Sequence, residues 1–264
     1  MYAPYLTIGA EPVVCETVVG ATTGVVPPPK GYLKAMKSVC DKHGALFILD
    51  EVMSGMGRIG TLQAWQTYGD GVSPDIQAVA KGLGGGYASI GAVLISPRVA
   101  AGLRGAAGWK HGHTYQAHPI ACAASLAVQK AVAAENMLEN VRAWGPRMGA
   151  LLEERLRGPN ARARPYTFDV RGCGAWWGIE FDFEGVEAAE AKGYDGKVFA
   201  MEVQAKALEN GLIIMGFTGG ASLDGLKGNH CMLSPAYNIT MEEMEKIVDL
   251  FVKSVEDVLT AHGL

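Results

Sequence analysis

Ala45-Leu46-Phe47-Ile48-Leu49-Asp50-Glu51 is an unbroken apolar run that closes on two acids. A run of this length without polar alternation is the pattern of a strand covered on both faces, as parallel sheets require. Ile76-Gln77-Ala78-Val79-Ala80 is a second short strand signal, closing on Lys81 and followed by Gly82-Leu83-Gly84-Gly85-Gly86. Outward from these two, Val13 to Val19 and Ile90 to Ser96 read as further strands and Gly31 to His43 as a helix, with Pro27-Pro28-Pro29 supplying its start. Strands alternating with helical segments predict βαβ units, an α/β chain with a mostly parallel sheet. From His118 to Arg157 the spacing predicts two long helices, broken near Gly145-Pro146.

Beyond Gly158-Pro159-Asn160 the pattern changes. Tyr166 to Val170 and Ala175 to Phe183 read as strands joined through Gly172 and Gly174, Val198 to Asn210 as a helix and Leu212 to Met215 as a strand. Gly216 to Gly228 reads as a mobile loop and Met241 to Leu259 as a closing amphipathic helix. The expectation is a smaller α+β domain.

Composition narrows the function. With 49% apolar residues in 264, the chain can bury a substantial core. The 23 Lys and Arg against 27 Asp and Glu, without a basic run, argue against nucleic acid as partner. No apolar stretch approaches the roughly 20 residues that cross a bilayer, so no membrane span is expected. The opening Met1-Tyr2-Ala3-Pro4-Tyr5 lacks the basic and apolar regions of a secretory signal, so a cytoplasmic protein is expected. Five widely spaced cysteines without a C-x-x-C pair fit neither a disulfide framework nor a structural zinc site and read as buried free thiols. His111, His113 and His118 read as loop and helix-start residues, and no metal is expected.

In open α/β sheets, ligands bind beyond the carboxyl ends of the parallel strands. Glu16, Asp50 and Lys81 stand at such ends. Asp50-Glu51 could be a helix cap or a surface acid pair, and Lys81 a snorkelling side chain. An apolar strand ending in Asp-Glu also fits a Walker B element, but that reading needs a G-x-x-x-x-G-K-[ST] loop. The nearest candidate, Gly196-Lys197, is followed by Val198 and has Ala191 in place of the first glycine. A third reading uses both strand ends: pyridoxal phosphate chemistry needs a lysine for a Schiff base and a carboxylate beside the pyridine nitrogen. Burial of such a lysine would lower its proton affinity and let it shuttle a proton.

Three stretches carry a resemblance: Phe47 through Asp50-Glu51-Val52 to Gly57-Arg58-Ile59-Gly60, Pro74-Asp75-Ile76, and Ala80-Lys81-Gly82-Leu83-Gly84-Gly85. Together with His111-Gly112-His113-Thr114-Tyr115, His118-Pro119 and Arg171-Gly172-Cys173-Gly174 before Gly178-Ile179-Glu180, the pattern resembles the class III, ornithine-type or omega, aminotransferases of fold-type I. The resemblance implies residues 1–134 as part of a large cofactor-binding domain and 135–264 as a connecting helix and small carboxyl-terminal domain. It implies pyridoxal 5'-phosphate as cofactor and transfer of an amino group from an amine or amino acid to an oxo acid, aldehyde or ketone.

Carried over by position, Lys81 is the Schiff-base lysine and Asp50 the partner of the pyridine nitrogen. Val52 packs on one ring face, and Glu16 is the active-site glutamate of an E-x-V-x-G strand end. Thr114 resembles the threonine that reaches the cofactor phosphate of the other subunit, which implies a homodimer with a shared site. Glu11-Pro12 is a decoy, since it lacks the glycine.

Family members are much longer. Their amino-terminal segment, phosphate-cradling Ser/Gly-rich loop and the aromatic over the second ring face have no counterpart here, which implies a truncated chain or fragment, or a catalytically weak remnant that binds cofactor or dimerises. The late-strand arginine that pairs with substrate carboxylates in several members has no counterpart in His230-Cys231-Met232-Leu233-Ser234-Pro235.

Overall fold

The computed structural model describes residues 11–105, 109–223 and 227–264. The opening residues read above for a targeting signal lie outside the described residues, as do 224–226 of the predicted loop. The chain divides into two compact units: one runs up to Val18 and resumes from Pro28 to Leu138, and the other combines Val19–Pro27 with Glu139–Leu264.

The first unit is built on a sheet in the order β1 (Val13–Glu16), β2 (Phe47–Asp50), β3 (Ile76–Val79), β4 (Ala92–Ile95). β1–β2 and β2–β3 pair in parallel, and β4 closes the edge antiparallel to β3. Phe47 and Leu49 are fully buried against Leu33 and Cys40 of helix α1 (Tyr32–His43) and against Val72, which is why this stretch is so apolar. Asp75 is buried at the start of β3, where Oδ2 accepts the backbone N–H of Phe47 at 3.0 Å and lies 3.8 Å from Lys37 Nζ. The prolines end before α1, whose N-cap is Gly31 at φ 81°. Helices α2 (Pro97–Gly105) and α3 (Pro119–Ala134) complete this unit.

The helix break expected at Gly145-Pro146 lies elsewhere. Glu135 and Asn136, the latter at φ 51°, end α3, and α4 (Met137–Arg157) then runs through Pro146 without a stop. Gly145 serves packing: a Cβ there would lie 2.6 Å from the Gly174 carbonyl oxygen, and one at Gly149 would strike the Trp177 ring. The Gly-Pro pair marks a close approach of the helix to a hairpin and not a break.

The second unit has a sheet in the order β5 (Thr167–Cys173), β6 (Trp176–Phe181), β8 (Asn229–Leu233), β7 (Met215–Phe217). α4 packs on it with α6 (Phe199–Glu209) and α7 (Met241–Ala261) around Trp144, Phe181, Phe199 and Phe251; a short helix α5 (Glu187–Lys192) precedes α6. The strand expected at Leu212–Met215 begins three residues later. Leu212 N–H instead closes the end of α6 on the Ala207 carbonyl at 2.8 Å, after Gly211 at φ 88°. Part of the expected loop is thus strand β7. β8, buried throughout, has no strand signal in the residue pattern and coincides with the stretch that the resemblance compares with a late strand.

The segment Val19–Pro27 closes on itself through a Val19–Val26 bridge and is held by Arg171. Arg171 Nε donates to the Gly24 carbonyl at 2.8 Å and Nη2 to the Thr23 carbonyl at 2.6 Å, while Nη1 pairs with Glu180 at 2.7 Å and Asp169 at 3.1 Å. Gly178 permits this approach, since a Cβ there would lie 2.3 Å from the Gly24 oxygen. Arg171→Ala strands Glu180 and two carbonyls, so urea unfolding should show a loss of about 3–5 kcal/mol. Arg171→Lys should recover only part of it, because one ammonium cannot reproduce the guanidinium fork.

Candidate active site

Parallel register sets the site. Glu16 pairs with Asp50 across β1–β2, and Asp50 with Ala78 across β2–β3, so the carboxyl ends of three adjacent strands lie side by side. The ladder continues one step past them, with Thr17 N–H donating to the Asp50 carbonyl at 3.2 Å and Glu51 N–H to the Ala78 carbonyl at 2.9 Å. Lys81 follows β3 as the first residue of a 3-10 turn, Lys81–Leu83. Glu16, Asp50 and Lys81 are therefore brought to one edge of one sheet.

Asp50 is half-buried, and its Oδ1 accepts the Val52 N–H at 2.9 Å, which turns the chain sharply past the strand. Lys81 is exposed in this chain, so the burial expected of it is corrected. Its backbone is unusual in another way: φ is 44°, the left-handed region that side-chain-bearing residues rarely adopt. Such conformations cost about 1–3 kcal/mol and cluster at functional sites. The following glycines serve the turn itself. A Cβ at Gly84 would lie 2.4 Å from the Ala88 oxygen, and one at Gly85 would lie 2.9 Å from Val128 of α3.

Thr114 is exposed in the turn at 114–117, as are His111, His113 and His118 near it in sequence. Among the described residues, no group of three or more His, Cys, Asp or Glu is arranged to hold a metal ion, and no helix is long and apolar enough to cross a membrane. The five cysteines form no disulfide among the described residues; Cys40 and Cys231 are buried, but Cys122 is exposed, against the expectation of buried thiols.

The residue the sequence reading passed over is Glu51. It is fully buried, neither a helix cap nor a surface acid. Its Oε1 accepts from Thr17 Oγ1 at 2.8 Å and Trp65 N at 2.7 Å, and its Oε2 from Ala64 N at 2.7 Å and Gln77 Nε2 at 2.6 Å. Burial pushes its carboxyl above the ordinary range while these four donors pull it back. The available signal was Gln77, a polar residue inside an otherwise apolar strand.

The chain matches the class-III aminotransferase family over residues 8–255. A curated aminotransferase from Gibberella zeae is 44% identical over 260 residues, 97% of this chain and 48% of that protein. Gamma aminobutyrate transaminase 3, chloroplastic, from Solanum lycopersicum is 30% identical, over 92% of this chain and 44% of that protein. Among solved structures, an (S)-enantioselective omega-transaminase from Thermomicrobium roseum superposes with a TM-score of 0.77 at 33% identity, covering 93% of this chain and 51% of that one. The chain belongs to the class-III aminotransferases, a family that uses pyridoxal phosphate, and the fold-type I reading is borne out. It spans about half the length of the curated relatives it matches.

Proposed function

We propose that this chain carries the lysine-bearing part of a pyridoxal 5'-phosphate site and acts in transfer of an amino group from an amine or amino acid to an oxo acid, aldehyde or ketone. The observation that carries this reading is the placement of Asp50 and Lys81 at the ends of neighbouring parallel strands, with Lys81 in a strained backbone conformation. A carboxylate and an amine so placed fit the donor set that the cofactor requires: Asp50 for the pyridine nitrogen and Lys81 for the aldehyde carbon. When bound, the cofactor supplies an electron sink for the carbon that loses its proton.

Within the protein, Asp50 holds a negative charge at a fixed place, because its other contact is the backbone of its own turn. Lys81 would hold the cofactor's aldehyde end, and its side-chain amine, at an exposed strand end, would be the group that takes up and returns a proton. Val52, directly after the Asp50 turn, is assigned to one ring face, and Glu16, next to Asp50 in register, to the substrate side. Thr114, exposed in its turn, is assigned to the cofactor phosphate of a second copy in a homodimer with a shared site. Five cysteines without a disulfide suit a reducing compartment such as the cytoplasm.

The reading is tested by treating the purified chain with pyridoxal phosphate and borohydride and mapping the label. Attachment to the peptide containing Lys81 supports it, and a label spread over surface lysines overturns it. Thr114→Val should weaken cofactor retention by about tenfold, the worth of one hydrogen bond to a charged group. Equilibrium dialysis at concentrations above and below dimer dissociation checks this, since the loss should vanish in the monomer.

A further inference from the structure

We infer that Glu51 is a positioning residue that keeps the three strand ends bearing Glu16, Asp50 and Lys81 in register. The inference rests on the site reading above. All the groups involved lie in the first unit.

Each Glu51 oxygen receives two donors, and they come from separate parts of the chain: Thr17 just past β1, Gln77 within β3, and the backbone N–H groups of Ala64 and Trp65 in the intervening turn. The two backbone donors cannot accept a proton. Gln77 Nε2 is committed, because it also donates to Gln63 Oε1 at 2.6 Å. Each Glu51 oxygen therefore faces a backbone N–H, and an amide nitrogen in either place would set donor against donor.

Thr17 is the residue after Glu16, Glu51 the residue after Asp50, and Gln77 lies four residues before Lys81. One buried carboxylate thus links the strands of all three assigned groups. Main-chain hydrogen bonds alone hold strands together without resisting small shear at their frayed ends. A side-chain knot beyond the last ladder bond resists it, and reacting groups require placement to within about half an ångström.

Thr17→Val tests this most cleanly, since it removes one donor without changing shape or leaving a new polar group. Glu51→Gln is the second variant and Thr17→Ser the conservative rescue. Leu33→Ala, buried in the same unit on α1 and making none of the hydrogen bonds to Glu51, is the control for general destabilisation.

Without cofactor, native-state hydrogen exchange in Thr17→Val should speed at the amides of Thr17, Glu51, Ala64 and Trp65 while the strand centres stay protected. With pyridoxal phosphate, labelling of Lys81 should slow by about tenfold to a hundredfold, the usual cost of losing an outer hydrogen-bonding partner of a site. Thr17→Ser should restore both, and Leu33→Ala should leave the labelling rate nearly unchanged at an equal loss of thermal midpoint.

Uniform loss of protection through the unit, or equal slowing in Leu33→Ala, overturns the inference by making Glu51 a stability residue only. If the wild-type chain takes no label at Lys81 yet the exchange change is confined to the knot, the cofactor reading falls while the registration of the strand ends stands.

Discussion

Lys81→Ala should eliminate the borohydride-fixed pyridoxal adduct, whereas Lys110→Ala should leave it at the wild-type level. The expectation follows from position. Both lysines are exposed, so surface reactivity alone does not separate them. Lys81 alone stands at the end of a buried parallel strand, beside the strand that carries Asp50. Peptide mapping after reduction decides the matter, and a covalent adduct retained in the Lys81→Ala chain ends the assignment.

The backbone offers a second reading of the same residue. At φ 44°, glycine is relieved of a steric penalty that lysine bears. Lys81→Gly is therefore expected to stabilise the chain by about 1 kcal/mol while abolishing the adduct. A gain in thermal midpoint coupled to loss of labelling marks a position kept for chemistry rather than for folding. If Lys81→Gly is instead destabilising, the strain argument fails, although the positional one survives.

Asp50→Asn should lower the rate of half-transamination with an amine donor by about a hundredfold to a thousandfold, the range seen when one charge-matched partner of a reacting centre is removed. The substitution isolates the charge. The asparagine side-chain oxygen still accepts the Val52 N–H that Asp50 Oδ1 now takes at 2.9 Å, so the turn past β2 persists. Lys81 should still be labelled by pyridoxal phosphate, because adduct formation does not need the pyridine nitrogen protonated. Single-turnover absorbance changes on adding amine read the rate directly. Near-normal turnover in this variant removes Asp50 from the pyridine-partner role and leaves it the turn-forming role that the structure already gives it.

Short-range features were legible without tertiary information. Apolar runs closing on Asp50 and Lys81 predicted parallel strands, because only strands buried on both faces tolerate continuous hydrophobicity. The order of elements predicted the α/β architecture, and ligand binding at strand ends picked out Glu16, Asp50 and Lys81 before any distance was known. Helices α1, α6 and α7 fell within a few residues of their predicted bounds, since their caps and periodicity are local signals.

What the sequence left undecided depended on which distant groups meet. Gly145-Pro146 resembled a helix break because glycine and proline usually are, yet the helix continues, with its glycines facing the Gly174 carbonyl and the Trp177 ring. Strand β8 offered no clear period because it is buried on every side, and β7 was displaced because Leu212 is consumed in ending α6. The exposure of Lys81 is likewise a property of its surroundings and not of its neighbours in sequence. Glu51 is the clearest case. Beside Asp50 it reads as one of two strand-end acids, and only folding brings Thr17, Ala64, Trp65 and Gln77 around it. A carboxylate's burial depends on whether donors converge on it, and donors 13 to 34 residues away leave no periodic trace in the chain.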